Sequence, residues 1–88
     1  MEAEFKTRVT KWVKKNPQLA EEFIENHLPE ILKNPYSAGN KLKNINVYSY
    51  HFHRKPEYRA IYGIEKGKVV FYLIASREEV YKDLKNIL

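Results

Sequence analysis

Two histidines separated by one residue, His51 and His53, form the most chemically suggestive pair in this chain. They end the run Tyr48-Ser49-Tyr50-His51-Phe52-His53, where aromatic and polar residues alternate with the period of two that marks a β-strand. On a strand both imidazoles leave the same face, about 7 Å apart along the chain, opposite Tyr48, Tyr50 and Phe52. Histidine titrates near neutrality, so such a pair suits acid–base work without a large pKa shift. Two other readings stand beside this one. Exposed strand histidines with no task fit the same pattern, and His-x-His also occurs in zinc sites. The zinc reading lacks a third ligand nearby, since His27 belongs to a distant helical segment; neither a metal nor any other cofactor is expected. Cysteine is absent, which removes a thiol nucleophile, thiolate metal ligands and disulfides together. The chain holds no glycine-rich phosphate loop, no serine-nucleophile motif and no carboxylate pair at a sugar-cleaving spacing. Glu78-Glu79 most simply brings negative charge to the first turn of a helix. Lys41 and Lys43 flank Leu42 in a loop at the rim, as a solvated edge or as contacts for a phosphate backbone.

The elements that must position these residues follow from hydrophobic spacing. Phe5, Val9, Trp12 and Val13 fall on one stripe of an amphipathic helix, with Arg8, Lys11, Lys14 and Lys15 towards solvent. Asn16-Pro17 stops that helix and starts a second, which carries Leu19, Phe23, Ile24, Ile31 and Leu32 towards a core. Pro29 should kink the second helix, or restart it, near Leu28. The two should pack as an antiparallel hairpin. Turn chemistry from Asn34-Pro35 to Gly39-Asn40 ends the helical half. Strands are then expected at 47–54, 57–65 and 68–76, the last two joined by a hairpin turn at Gly67. The third strand is apolar on both faces, so it belongs inside the sheet or beneath the closing helix 77–88, whose stripe is Val80, Leu84 and Ile87. A first strand at 2–5 is left open by so short a segment. The class is α+β: an N-terminal helical hairpin packed on an antiparallel sheet of three to four strands, with a short C-terminal helix. Trp12, Phe23, Phe52 and Phe71 should be core residues, and Tyr36, Tyr48, Tyr58, Tyr62 and Tyr72 read as packing rather than base-stacking platforms.

At 88 residues, 43% of them hydrophobic and 14% aromatic, the chain has the size and apolar content of one folded domain spanning 1–88. Sixteen Lys and Arg against eleven Asp and Glu leave a net charge of +5. That balance fits a polyanion or an acidic protein partner, and equally a basic but idle surface. The first five residues carry two glutamates rather than a basic-then-apolar leader, and no apolar run approaches the ~20 residues that span a bilayer. With no disulfides to staple so small a chain, the cytoplasm is the expected location and no membrane partner is expected.

Four segments, in order, resemble the RelE/ParE toxin superfamily. They are Lys33-Asn34-Pro35-Tyr36-Ser37, Asn40-Lys41-Leu42-Lys43, Tyr58-Arg59-Ala60-Ile61-Tyr62 and Arg77-Glu78-Glu79-Val80-Tyr81. Two departures accompany the match: Ser76 stands where many relatives carry histidine, and Asn44 where the family has glycine. The resemblance implies a toxin, held inactive by a cognate antitoxin, that cleaves messenger RNA, free or on the ribosome, without a metal. It makes Arg59, Arg77 and Tyr81 candidate catalytic residues beside His51 and His53, with Lys41, Lys43 and Arg54 as RNA contacts. Arg59 reads otherwise as a strand arginine paired to Glu57 or a neighbour, and Tyr81 as a half-buried packing residue. The superfamily also contains gyrase inhibitors that cut nothing, so a ParE-like toxin and an inactive antitoxin-binding member are the alternatives.

Overall fold

A computed structural model describes residues 1–87 of the chain and the side chains of 1–85. Five strands form one mixed sheet in the order β1-β5-β4-β3-β2: β1 (Glu2–Phe5), β2 (Asn40–Lys41), β3 (Tyr48–Phe52), β4 (Tyr58–Glu65) and β5 (Lys68–Ser76). The expected meander is present, β3 antiparallel to β4 and β4 to β5. Its turn puts Lys66 at φ 51° and Gly67 at φ 78°, the left-handed pair that a tight hairpin needs. The expected three to four strands are nevertheless five. β1 runs parallel to β5, with Glu2 opposite Lys68 and Phe5 opposite Phe71. β2 adds a two-residue antiparallel edge to β3. β2 is too short to display an alternation, and the Glu-Ala-Glu-Phe of β1 alternates over only four residues, a weak form of the signal a strand assignment rests on.

The helical half also differs from a simple hairpin. α1 (Thr7–Lys15) ends as expected at Asn16, whose side-chain amide donates to the Trp12 carbonyl at 3.0 Å, and Pro17 opens α2 (Pro17–Glu22). α2 then passes through a π-helical turn, Phe23–His27, into α3 (Leu28–Lys33). Pro29 is the cause: it has no N–H for the Glu25 carbonyl and its ring crowds that oxygen. The widened turn, in which the Leu28 N–H reaches back to the Phe23 carbonyl, absorbs the mismatch before the helix restarts. The Asn34–Asn40 segment contains one helical turn, α4 (Pro35–Ala38). α1 packs chiefly on β5 rather than on α2. A strand therefore precedes the helices, and no clean two-helix hairpin stands at the N-terminus. α5 (Arg77–Ile87) closes the chain. Ile87, assigned to its apolar stripe, lies outside the described side chains. No helix among the described residues is long and apolar enough to cross a membrane.

Both faces of the sheet are covered. On the first, Val9, Trp12, Ala20, Phe23 and Ile31 meet Phe52, Ala60, Tyr62, Val69, Phe71 and Ile74. On the second, α5 and the loop after β2 lay Val80, Leu84, Leu42 and Ile45 over Val47, Ile61, Leu73 and Ala75. Burial from two sides explains why β5 is apolar throughout. A bulge sits within it: Ile61 pairs with Leu73 but Tyr62 with Phe71, leaving Tyr72 as the extra residue. Trp12, Phe23, Phe52 and Phe71 are buried as expected. Phe5 is not helical; it ends β1 with its ring 5.3 Å from that of Phe71. Ile24 and Tyr36 are exposed, because Phe23 takes the core-facing place of its turn and Tyr36 only leans on Tyr48.

Candidate active site

The site lies where the end of β3, the beginning of β4 and the end of β5 meet on the second face. The register sets His51 directly opposite Arg59, and Arg59 opposite Ala75. These positions lie at the limit of the cover given by α5, so His51 keeps 40% of its side chain exposed. The start of α5 is fixed by Ser76. Its hydroxyl accepts the Glu79 N–H at 3.4 Å and donates to the Glu79 carboxylate at 3.2 Å, a close variant of the capping box. The Ser-x-x-Glu spacing is the sequence signal for this start. The Arg77 N–H donates to the Glu57 carbonyl at 2.9 Å, which docks the first turn of α5 on the beginning of β4.

One turn further along α5, Tyr81 stands over Arg59. The Arg59 Cζ lies 5.4 Å from the Tyr81 ring centroid, and its Nη1 donates to the Tyr81 hydroxyl oxygen. On the other edge of the guanidinium, Nε donates to Oε2 of Glu57 at 3.2 Å, and Nη2 forms an ion pair with the same oxygen at 3.1 Å. The second oxygen of that carboxylate, Oε1, lies 3.7 Å from Nδ1 of His51. Arg59 is thus a hub with only 11% of its side chain exposed. Because Tyr81 accepts from Arg59, the phenolic proton remains free to be given elsewhere. The pairing of Arg59 with Glu57, one reading of the sequence, is real, and the same arginine still joins the candidate residues. Tyr81 is 54% exposed, and the partner that its ring and hydroxyl meet is Arg59.

His51 and His53 are not on one face. β3 ends at Phe52, and His53 takes φ 62°, a left-handed conformation that breaks the two-residue alternation. Its imidazole turns to the helical side, 3.6 Å from Glu22 of α2 and against the Tyr58 ring. His27, which the sequence placed at a distance, shares that carboxylate: it lies 3.6 Å from the other Glu22 oxygen and 2.8 Å from the Tyr50 hydroxyl. Among the described residues no group of three His, Cys, Asp or Glu is arranged to hold a metal. Lys41, opposite Tyr48 on β2, Lys43 in the next loop and Arg54 in the bend after His53 are all exposed. They stand outside the contacts that join His51, Arg59 and Tyr81. Asn44, in place of the family's glycine, holds φ 66°, a left-handed conformation that asparagine tolerates better than most residues. Two tyrosines on the helical side titrate abnormally. Burial raises Tyr50, with the charge of Glu30 adding to it, and burial pushes Tyr62 up to about 12.

Neither a family model nor a curated protein matches the sequence. Solved structures do. An E. coli RelE toxin with two arginines replaced by alanine, in the free state, superposes with a TM-score of 0.77 at 27% identity, covering 99% of this chain and 97% of that one. The isolated E. coli RelE toxin gives 0.71 at 28% identity, covering 99% and 98%. A chain of the intact E. coli RelBE toxin–antitoxin complex gives 0.71 at 23% identity, covering 84% of this chain and 93% of that one.

Proposed function

The chain has the RelE fold over nearly its whole length and resembles the RelE/ParE superfamily in four ordered segments; from that premise we propose that it is the toxin of a toxin–antitoxin pair and a metal-independent endoribonuclease acting on messenger RNA. The observation that carries the reading is the convergence of His51, Arg59 and Tyr81 where the cover of α5 over one sheet face ends, with the backbone of Arg77 bonded to that of Glu57 beside them. In the proposed step His51 takes the proton from the ribose 2′-hydroxyl. The 2′-oxygen attacks phosphorus, the bond to the 5′-oxygen breaks, and Tyr81 gives the leaving oxygen its proton. Arg59 and Arg77 balance the charge that builds on the non-bridging oxygens. Lys41, Lys43 and Arg54 serve as outlying contacts to the RNA backbone, where positive charge gives affinity without sequence choice. His53 has no part in the chemistry, since it sits with Glu22 on the other side of the sheet. The partner is a cognate antitoxin, as RelB is for RelE in the matched complex.

Brief induction followed by primer extension on total RNA, beside a gyrase supercoiling assay, tests the proposal. The parent should cut transcripts and leave supercoiling unchanged. Arg59→Ala should lose roughly 10²–10³ in rate, the usual cost of one aligned stabilising donor, while staying folded by circular dichroism. His51→Ala should be impaired far more than His53→Ala. Intact transcripts with falling supercoiling would replace this reading with the gyrase one.

A further inference from the structure

An arginine that receives a phosphate usually offers the edge formed by Nε and one Nη, whose parallel N–H groups match two oxygens. In this chain that edge of Arg59 is held by Oε2 of Glu57, and one Nη1 proton goes to Tyr81. With 11% of the side chain exposed, the cation at the centre of the site is both paired and nearly covered. A phosphate that docks on this Nε–Nη2 fork must therefore displace a carboxylate that belongs to the protein.

We infer that Glu57 is a built-in competitor for the RNA phosphate, a positioning residue that occupies Arg59 in the free chain and yields it when substrate arrives. The inference rests on the proposed phosphate-binding role of Arg59. Three features of Glu57 suit it to leave. It precedes β4, so its side chain is not locked within the sheet ladder. A third of that side chain is exposed, which leaves a path into solvent. Its other oxygen already lies 3.7 Å from Nδ1 of His51, so a carboxylate released from Arg59 has a second partner at hand. That partner becomes a better one during the proposed reaction, because an imidazole that has accepted the 2′-hydroxyl proton is a cation. Moving Glu57 from Arg59 to His51 would thus open the phosphate fork and support the charged imidazole in one displacement. The contact also lowers affinity for stray RNA, since isolated phosphates must compete with an internal anion before binding.

The test measures binding without cleavage. A fluorescent 2′-O-methyl oligoribonucleotide, which lacks the attacking hydroxyl, is titrated at fixed low salt into the parent, Glu57→Gln, Glu57→Ala, Glu57→Asp and Arg59→Ala. Both neutral variants at position 57 should bind about fivefold more tightly than the parent, near the most that a partly exposed ion pair withholds. Glu57→Asp, which keeps the charge, should stay close to the parent, and Arg59→Ala should bind more weakly. Adding Glu57→Gln to Arg59→Ala should restore nothing. A carboxylate serving only the fold would give the opposite sign, because a loosened site loses affinity. Unchanged or weaker binding by both neutral variants, with Arg59→Ala still weakened, overturns the inference and leaves the RNA reading in place. Equal binding, or none, by the parent and Arg59→Ala overturns the phosphate role of Arg59 itself.

Discussion

Replacing Tyr62 by phenylalanine should make the stability of this chain less sensitive to alkaline pH. The Tyr62 hydroxyl is buried against α4 and donates to the Pro35 carbonyl at 2.6 Å. Gly39 leaves the room for it, since a Cβ there would stand 2.7 Å from that oxygen. Burial pushes the phenol up from 10.0 to about 12, with a backbone hydrogen bond from Gly39 acting the other way. The folded chain thus keeps this proton over a range in which the unfolded chain has lost it. The contribution is fully present below 10.0 and disappears as pH rises through about 12. Two pKa units at 1.36 kcal/mol each amount to about 2.7 kcal/mol. The phenylalanine variant has no proton to lose at this position. Near neutrality Tyr62→Phe should be less stable, by ~1–3 kcal/mol, because the Pro35 carbonyl loses its buried donor. That deficit should shrink by an amount approaching the linkage figure as the solution is made alkaline. Urea unfolding of both proteins at a series of pH values gives the comparison directly. A deficit that stays constant across the alkaline range would show that the fold does not hold this phenol protonated, and the reasoning would fail.

Two further outcomes concern the scaffold. Trp12→Ala and Phe71→Ala should each cost ~3–5 kcal/mol, a large share of a small domain's stability, and melting curves barely displaced by either would mean that the core is misplaced. Ser76→Ala should cost ~1 kcal/mol through loss of the α5 cap, with faster amide exchange in the first turn of α5; exchange unchanged there would show that the cap does not hold the helix.

The elements legible in the sequence were those with enough length to show a period. α1 and the three strands of the meander are such elements, and Gly67 marked their hairpin. β1, left open at 2–5, was obscured by coincidence: Phe5 stands four residues before Val9 and so continues the helical stripe, although it belongs to a strand paired with β5. β2 has two residues and no pattern to read. Pro29 announced a disturbance near Leu28 but not its form, because a π turn is one of several ways to accommodate a missing donor. His53 shows the limit of alternation as evidence. Its identity gives no notice of a left-handed backbone, yet that single dihedral moves the side chain to the opposite side of the sheet.

The candidate site marks the same boundary at a finer scale. Arg59, Arg77 and Tyr81 could be singled out from the resemblance, and His51 from its place on a strand. What joins them is register, which residue types do not carry. His51 meets Arg59 because β3 and β4 pair at that position, and a slip of one residue would send His51 to the face occupied by Phe52. Tyr81 reaches Arg59 because Ser76 starts α5 at one place and the Arg77 N–H bonds the Glu57 carbonyl. Glu57 gained significance only through these contacts. In the sequence it was an ordinary neighbour for a strand arginine, whereas in the fold one carboxylate faces both the cation and the imidazole. The backbone of residue 57 positions α5, and its side chain occupies the arginine that α5 covers. The assembly of the site and the cover over Arg59 therefore depend on the same residue, and on the proposed reading this ties access by a phosphate to the junction of β4 with α5.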